Sequence, residues 1–219
     1  MDNYKGKKFV ASYSGGKDST LAIYRAIKQG LVPHELFTTF NKDKELSWFH
    51  SIPRQLLSKV SAEMQIPIAL IETTGEQYKE NIDNYLRNAK ASGAEVCVFG
   101  DIDIDEHLKW CTDRCIAAGL EAYFPLWKES RKNLVYEFVD GGFKTMITIV
   151  DTSRLSSKFA GKILSRQIAE EIEESGADMC GENGEYHTFA FDGPLFKTPV
   201  EFQTGNIINY DKYVIMPIS

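Results

Sequence analysis

No run of apolar residues in this chain approaches the ~18 that a membrane-spanning helix requires, so a spanning segment is not expected. The opening residues Met1-Asp2-Asn3-Tyr4-Lys5-Gly6-Lys7-Lys8 also lack the apolar stretch of a signal peptide, and the expected location is the cytoplasm. Cysteine is scarce. The four cysteines stand at positions 97, 111, 115 and 180 with no CxxC pair among them, which argues against a disulfide framework. Cys111 and Cys115 fall on one helical face without His or carboxylate partners at ligand spacing, so buried thiols are expected rather than a zinc site. Positive charge is not in excess either. The 25 Lys and Arg against 31 Asp and Glu leave a net charge of −6, which disfavours a broad nucleic-acid surface. Internal repeats, low-complexity tracts and flexible linkers are missing as well.

What is there is a chain of 219 residues, 43% hydrophobic and 26% charged, with room for one large or two small domains. Residues 8 to 13 are β-prone and end at Ser14-Gly15-Gly16; a helical pattern follows until Gly30. The alternation continues with strands expected over 34 to 40, 68 to 72, 95 to 99 and 121 to 124. Helices are expected over 53 to 64, 76 to 91 and 106 to 118, the last closed by Gly119. Regular strand-helix alternation implies an α/β fold with a parallel sheet covered by helices on both faces. Beyond Trp127 the pattern changes. A helix near 134 to 139, an apolar strand over 145 to 150 and a helix over 163 to 174 precede alternating segments at 187 to 191 and 212 to 216, which suggest antiparallel strands. The expected division is a nucleotide-binding domain over 1–127 and a smaller C-terminal α+β part over 128–219. The β-prone C-terminal segments would leave room for pairing with a second copy if an edge is open.

The first strand ends in Ser14-Gly15-Gly16-Lys17-Asp18-Ser19, at the place where open parallel sheets hold their ligands. Two glycines let backbone N–H groups approach phosphate oxygens, and the following helix presents unpaired N–H groups and a partial positive charge. Lys17 adds a full charge, Ser14 and Ser19 add hydroxyls, and Asp18 supplies a hard oxygen suited to Mg²⁺. A glycine turn with a serine cap needs no ligand, but Lys and Asp together serve no capping purpose. The string fits neither the GxxxxGK[ST] spacing of a Walker loop nor the GxGxxG of a dinucleotide fold. It resembles the signature of the PP-loop ATP pyrophosphatases. That resemblance implies a five-stranded sheet, ATP on this loop, attack on the α-phosphate and departure of pyrophosphate, with Lys17 and Asp18 in catalysis and Mg²⁺ sharing the charge.

A second string, Cys180-Gly181-Glu182-Asn183-Gly184-Glu185-Tyr186-His187-Thr188-Phe189, is followed by Asp192-Gly193-Pro194-Leu195-Phe196. Its dense acidic turn suits Mg²⁺, an amine or general-base chemistry, and equally a solvated turn before a hairpin. The two strings together resemble the diphthine-ammonia ligase family of PP-loop proteins over about residues 8 to 200. Supporting matches are Phe49-His50, Gly119-Leu120 and Pro125-Leu126-Trp127. The resemblance implies adenylation of a carboxylate on a modified histidine of an elongation factor, then displacement of AMP by ammonia. It assigns Glu182, Asn183 and Glu185 to catalysis and, with His50 and Thr188, to the acceptor and ammonia side. The chain departs from the archaeal and eukaryotic pattern at Asn183, where glycine stands, and at Gly100-Asp101-Ile102, where an uncharged string is usual. Such departures suit a bacterial-type relative and bear on the acceptor, not on ATP cleavage. Gly100 and Asp101 end a strand beside the ATP loop, so Asp101 is a second metal ligand, a substrate contact or a cap for the next helix. Phe40 is read as core. Two other classes stay open: a sulfurtransferase acting on RNA through Cys180, and an ATP-binding regulatory module without turnover.

Overall fold

A computed structural model describes residues 4–219, which leaves the first three residues of the opening segment outside the described residues. Contacts group the chain into two units. The first holds the chain up to Ser14, then Asp18–Trp48 and Gln65–Lys128; the second holds Gly15–Lys17, Phe49–Met64 and Glu129–Ser219. Gly15–Lys17 and Phe49–Met64 thus group with Glu129–Ser219.

In the first unit, strands β1 (Lys8–Ser12), β2 (Val32–Asn41), β4 (Ile68–Glu72), β5 (Val96–Val98) and β6 (Glu121–Tyr123) are parallel, in the order β4-β2-β1-β5-β6. The helices α1 (Lys17–Lys28), α3 (Tyr78–Ala91) and α4 (Asp105–Ala118) complete the crossovers there. Phe9, Val10 and Ala11 of the central strand are all fully buried, which is why β1 reads as an unbroken apolar run instead of alternating. Val10 joins Phe37, Ile71, Ile82, Leu86, Cys97, Cys111 and Cys115 in one core cluster under α3 and α4. Phe9 and Ala11 point to the opposite face. The path from β1 through α1 to β2 runs one way across the sheet and the path from β4 through α3 to β5 runs back. With right-handed crossovers, α1 and α3 therefore cover opposite faces. Phe40 is fully buried, in agreement with its reading as core.

A two-residue antiparallel strand, β3 (Leu46–Ser47), was not expected from the sequence. Asn41 makes it: its side-chain oxygen accepts from the N–H groups of Asp43 and Lys44 at 3.0 and 3.1 Å and turns the chain back. Helix α4 ends on Gly119 at φ 74, as the sequence suggested.

The second unit carries an antiparallel sheet in the order β8-β7-β10-β9, built from β7 (Lys144–Asp151), β8 (Tyr186–Asp192), β9 (Ile208–Tyr210) and β10 (Tyr213–Ile215). Helices α2 (Arg54–Met64), α5 (Arg131–Asp140) and α6 (Arg166–Glu174) also belong to it. Ser130 and Ser165 cap α5 and α6, accepting from the N–H groups of Asn133 and Ile168. Among the described residues, no helix is long and apolar enough to cross a membrane.

The switch in crossover direction falls between β1 and β5, and there the backbone is tight. A Cβ on Gly100 would lie 2.8 Å from the Ser19 nitrogen and 2.9 Å from the Asp18 carbonyl carbon, both main-chain atoms unable to yield. Gly100→Ala should therefore destabilise the protein by ~1–3 kcal/mol through overpacking, read as a lower midpoint of thermal unfolding. An unchanged midpoint would contradict the close approach.

Candidate functional site

Five of the residues singled out from the sequence lie in the first unit, at the carboxyl ends of the neighbouring strands β1 and β5: Ser14, Asp18, Ser19, Gly100 and Asp101. This is the crevice at which open α/β sheets hold ligands. The hydroxyls of Ser14 and Ser19 are 3.1 Å apart across the mouth of the loop. Helix α4 begins after Ile104, so Asp101 is not its cap. Instead its Oδ1 lies 3.1 Å from Nδ1 of His107. Burial raises the Asp101 pKa; His107 opposes this and the Asp18 charge adds to it. Two hard carboxylates close enough to repel are a chemically fitting pair for a divalent cation. Among the described residues, no group of three or more His, Cys, Asp or Glu side chains forms a metal cluster.

The middle of the loop belongs to the second unit, because it is fastened to β8. The Gly15 carbonyl accepts from the Ala190 N–H at 2.8 Å, and the Lys17 N–H donates to the Thr188 hydroxyl at 3.0 Å. Thr188 also offers its carbonyl to Nδ1 of His50 at 2.7 Å. Both glycines are needed for this fit. Gly15 has φ 85, and a Cβ there would sit 2.1 Å from Cδ1 of Ile52; a Cβ on Gly16 would sit 2.4 Å from Cε1 of His50.

A carbonyl can only accept, so Nδ1 of His50 carries the proton. Burial, then the neighbouring charges of His187 and Lys17, push the His50 pKa down to about 3. The ring is therefore neutral at pH 7 and Nε2 holds a lone pair. The rings of His50 and His187 are 4.8 Å apart.

Lys17 is buried, with Nζ 5.7 Å from the centre of the Tyr186 ring. Tyr186 in turn donates its hydroxyl to the Met179 carbonyl at 2.5 Å, and its ring lies against Gly181, where a Cβ would approach to 2.9 Å. One aromatic ring thus touches both the loop lysine and the acidic turn.

The turn is closed by its own side chains. Asp178 Oδ1 accepts from the Cys180 N–H at 2.9 Å and Oδ2 from the Glu182 N–H at 3.1 Å. Arg131 Nη1 donates to Asp178 Oδ2 at 2.5 Å and to Asn183 Oδ1 at 3.3 Å. Asn183 donates its N–H and its amide to the two oxygens of Glu185, each at 3.1 Å. Gly181 and Gly184 stand at φ 73 and 85, where a Cβ would be strained.

The structure therefore gathers Lys17, His50 and Thr188 in one group and Glu182, Asn183 and Glu185 in another, with Tyr186 joining the two within the second unit. Sequence reasoning missed Tyr186, His187, Arg131 and Asp178. Asp178 carried a signal, an Asp placed before a glycine turn, which is an Asx-turn pattern. Arg131 lies 47 positions away and carried none.

Residues 7–122 match the diphthamide synthase N-terminal domain and residues 130–218 the diphthamide synthase C-terminal domain. A rat diphthine–ammonia ligase is 28% identical over 97% of this chain and 89% of its own length. The zebrafish enzyme of that name is 23% identical over 96% and 92%. The human one is 29% identical over 48% of this chain, and that match spans 41% of its length. A solved structure described as a predicted subunit of tRNA methyltransferase from Methanocaldococcus jannaschii is similar at a TM-score of 0.45 and 16% identity, over 84% of this chain and 96% of that one.

The neutral His50 has a measurable consequence. Its pKa is lowered by folding from 6.5 to about 3, so the stability it contributes is complete above pH 6.5. That contribution is lost as pH falls toward 3, because the unfolded chain takes up a proton that the native ring refuses. The slope from this one group is at most about 1.4 kcal/mol per pH unit. Urea unfolding between pH 6.5 and 4 should show His50→Asn, which keeps a donor to Thr188, losing less stability per pH unit than the parent. Equal slopes would contradict the neutral ring.

Proposed function

This chain belongs to the diphthamide synthase family, and we propose that it is an ATP-dependent amide-forming ligase that adenylates a carboxylate and amidates it with ammonia. The observation that carries the reading is the shared Tyr186 ring: the lysine of the phosphate loop and the acidic turn meet on it inside one unit. A residue set for phosphate and a residue set for a nucleophile or its acceptor are thereby held at fixed separation, which is what two successive half-reactions on one carbonyl require.

In the first half-reaction a carboxylate oxygen of the acceptor attacks the α-phosphorus of ATP and the bond to the bridging oxygen of pyrophosphate breaks. Negative charge grows on the departing pyrophosphate. Lys17 and the loop N–H groups at the start of α1 are suited to stabilise it. The fit of Asp18 and Asp101 to a divalent cation makes them the holders of Mg²⁺, which would neutralise phosphate charge. Ser14 and Ser19 supply hydroxyl donors, and Gly100 lets the β5 strand end pass close to them.

In the second half-reaction the nitrogen of ammonia attacks the acyl carbon, AMP leaves and the nitrogen gives up a proton. Glu182 is the carboxylate of the turn assigned to take it, while Asn183 and Glu185 shape the turn through their mutual hydrogen bonds and face the acceptor. The lone pair on His50 Nε2 and the nearby Thr188 give the acceptor side a hydrogen-bond acceptor beside Lys17. The proposed acceptor is diphthine, the modified histidine of elongation factor two.

Sulfur transfer through Cys180 is disfavoured, because its side chain is 1% exposed and its N–H is tied to Asp178. Incubation with ATP, Mg²⁺, ammonium and diphthine-bearing elongation factor should yield AMP, pyrophosphate and the amide. Lys17→Met should lower that rate by about 10²–10³-fold, the usual cost of one lost charge-stabilising donor. Cys180→Ser should leave it within a few-fold. ADP as the main product would overturn the assignment, as would loss of activity in Cys180→Ser; ATP binding without AMP would favour a regulatory module.

A further inference from the structure

Asp178 and Arg131 have no place among the residues assigned so far, yet their side chains reach Cys180, Glu182 and Asn183 of the acidic turn. Both oxygens of Asp178 are committed, one to the Cys180 N–H and the other to the Glu182 N–H and Arg131. Arg131 reaches past Asp178 to the side-chain oxygen of Asn183, and Asn183 passes the connection on to Glu185. The ion pair is mostly withdrawn from solvent, at 26% and 12% side-chain exposure, so it is weakly screened and geometrically held. Arg131 itself opens α5 directly after the Ser130 cap, so its backbone is anchored to a regular element and not to the turn it holds.

We infer that Asp178 and Arg131 are positioning residues for the ligase reaction: they fix the backbone of Glu182 and the side chain of Asn183, and through these the acceptor and ammonia side of the site. The inference deepens the ligase reading and rests on it for its kinetic consequences. The physical logic is the asymmetry of the turn. Its two glycines adopt left-handed conformations that other residues rarely take and contribute no side-chain contact, so the Asp178 carboxylate, which fastens the N–H groups of Cys180 and Glu182, restrains the segment together with the Gly184–Gly181 backbone bond and the Asn183–Glu185 pair. A carboxylate that must meet a nucleophile cannot tolerate loss of that restraint, since misplacement of about 1 Å can cost ~10²-fold in rate. The loop lysine is held from another direction, by Thr188, and so should not feel the change.

The test uses the full chain and the substitutions Asp178→Asn, Arg131→Gln and Arg131→Lys. Asp178→Asn keeps one acceptor for the Cys180 N–H and loses the bonds to Glu182 and Arg131. Amide hydrogen exchange of the peptide spanning 178–185 should speed up by at least 10-fold in Asp178→Asn and Arg131→Gln, with cooperative thermal unfolding retained and affinity for a non-hydrolysable ATP analogue within twofold of the parent. Arg131→Lys, which can still pair with Asp178, should recover most of the protection. Unchanged exchange in the first two variants would overturn the inference whether or not an acceptor is known.

With ATP, ammonium and diphthine-bearing elongation factor, kcat for amide formation should fall by 10- to 100-fold and the KM for ammonium should rise, while the KM for ATP stays put. A matched rise in both KM values, or a full rate in Asp178→Asn, would contradict the positioning role. If the parent protein itself makes no AMP with this acceptor, the ligase reading fails, and the exchange measurement still decides whether the pair holds the turn.

Discussion

The residue on which the site depends is Thr188, which uses both of its oxygens at once. Its hydroxyl holds the Lys17 N–H and its carbonyl holds the ring of His50, so one residue of β8 fixes the phosphate loop and the histidine packed beside it. Loss of the bond to the buried Lys17 N–H would cost about 1–3 kcal/mol. The requirement for two adjacent glycines follows from the same constraint. The loop can lie on β8 with its main chain against Ile52 and His50 only if neither position carries a Cβ. Such glycines let backbone N–H groups approach phosphate. Here they also serve the protein's own packing.

Around that fastening the sheet topology does the rest. A parallel order of β4-β2-β1-β5-β6 puts the reversal of crossover direction between β1 and β5. The strand ends there deliver Ser14 and Asp18 from one side and Gly100 and Asp101 from the other. The mutual repulsion of the two carboxylates raises the pKa of Asp101, which burial has already raised, and marks the pair as the place where positive charge would be welcome. Acidic groups thus sit together in the first unit, and within the second a buried lysine lies near a neutral histidine.

Much of this was legible in the sequence because it depended on local chemistry. The strand, glycine turn and helix around Ser14 to Ser19, the alternation that follows, and the Gly119 stop all come from propensity and pattern, and the structure has each of them. Strands β3 and β9 escaped notice; β3, at two residues, is too short to carry a period. The grouping of Gly15–Lys17 and Phe49–Met64 with the C-terminal part was not legible either, since it follows from hydrogen bonds across more than 100 positions, such as His50 to Thr188. Asn183 and Glu185 stood out by composition as reactive groups; the geometry gives them a shared structural bond as well. Arg131 and Tyr186 act through contacts that no spacing rule encodes.

The central claim is that an acceptor carboxylate oxygen attacks the α-phosphorus of ATP, and oxygen exchange tests it without reference to any single residue. An acceptor labelled with oxygen-18 in its carboxylate should deliver one labelled oxygen to the phosphate of AMP for each amide formed, read by mass spectrometry. AMP free of the label, with amide still produced, would contradict adenylation of the carboxylate.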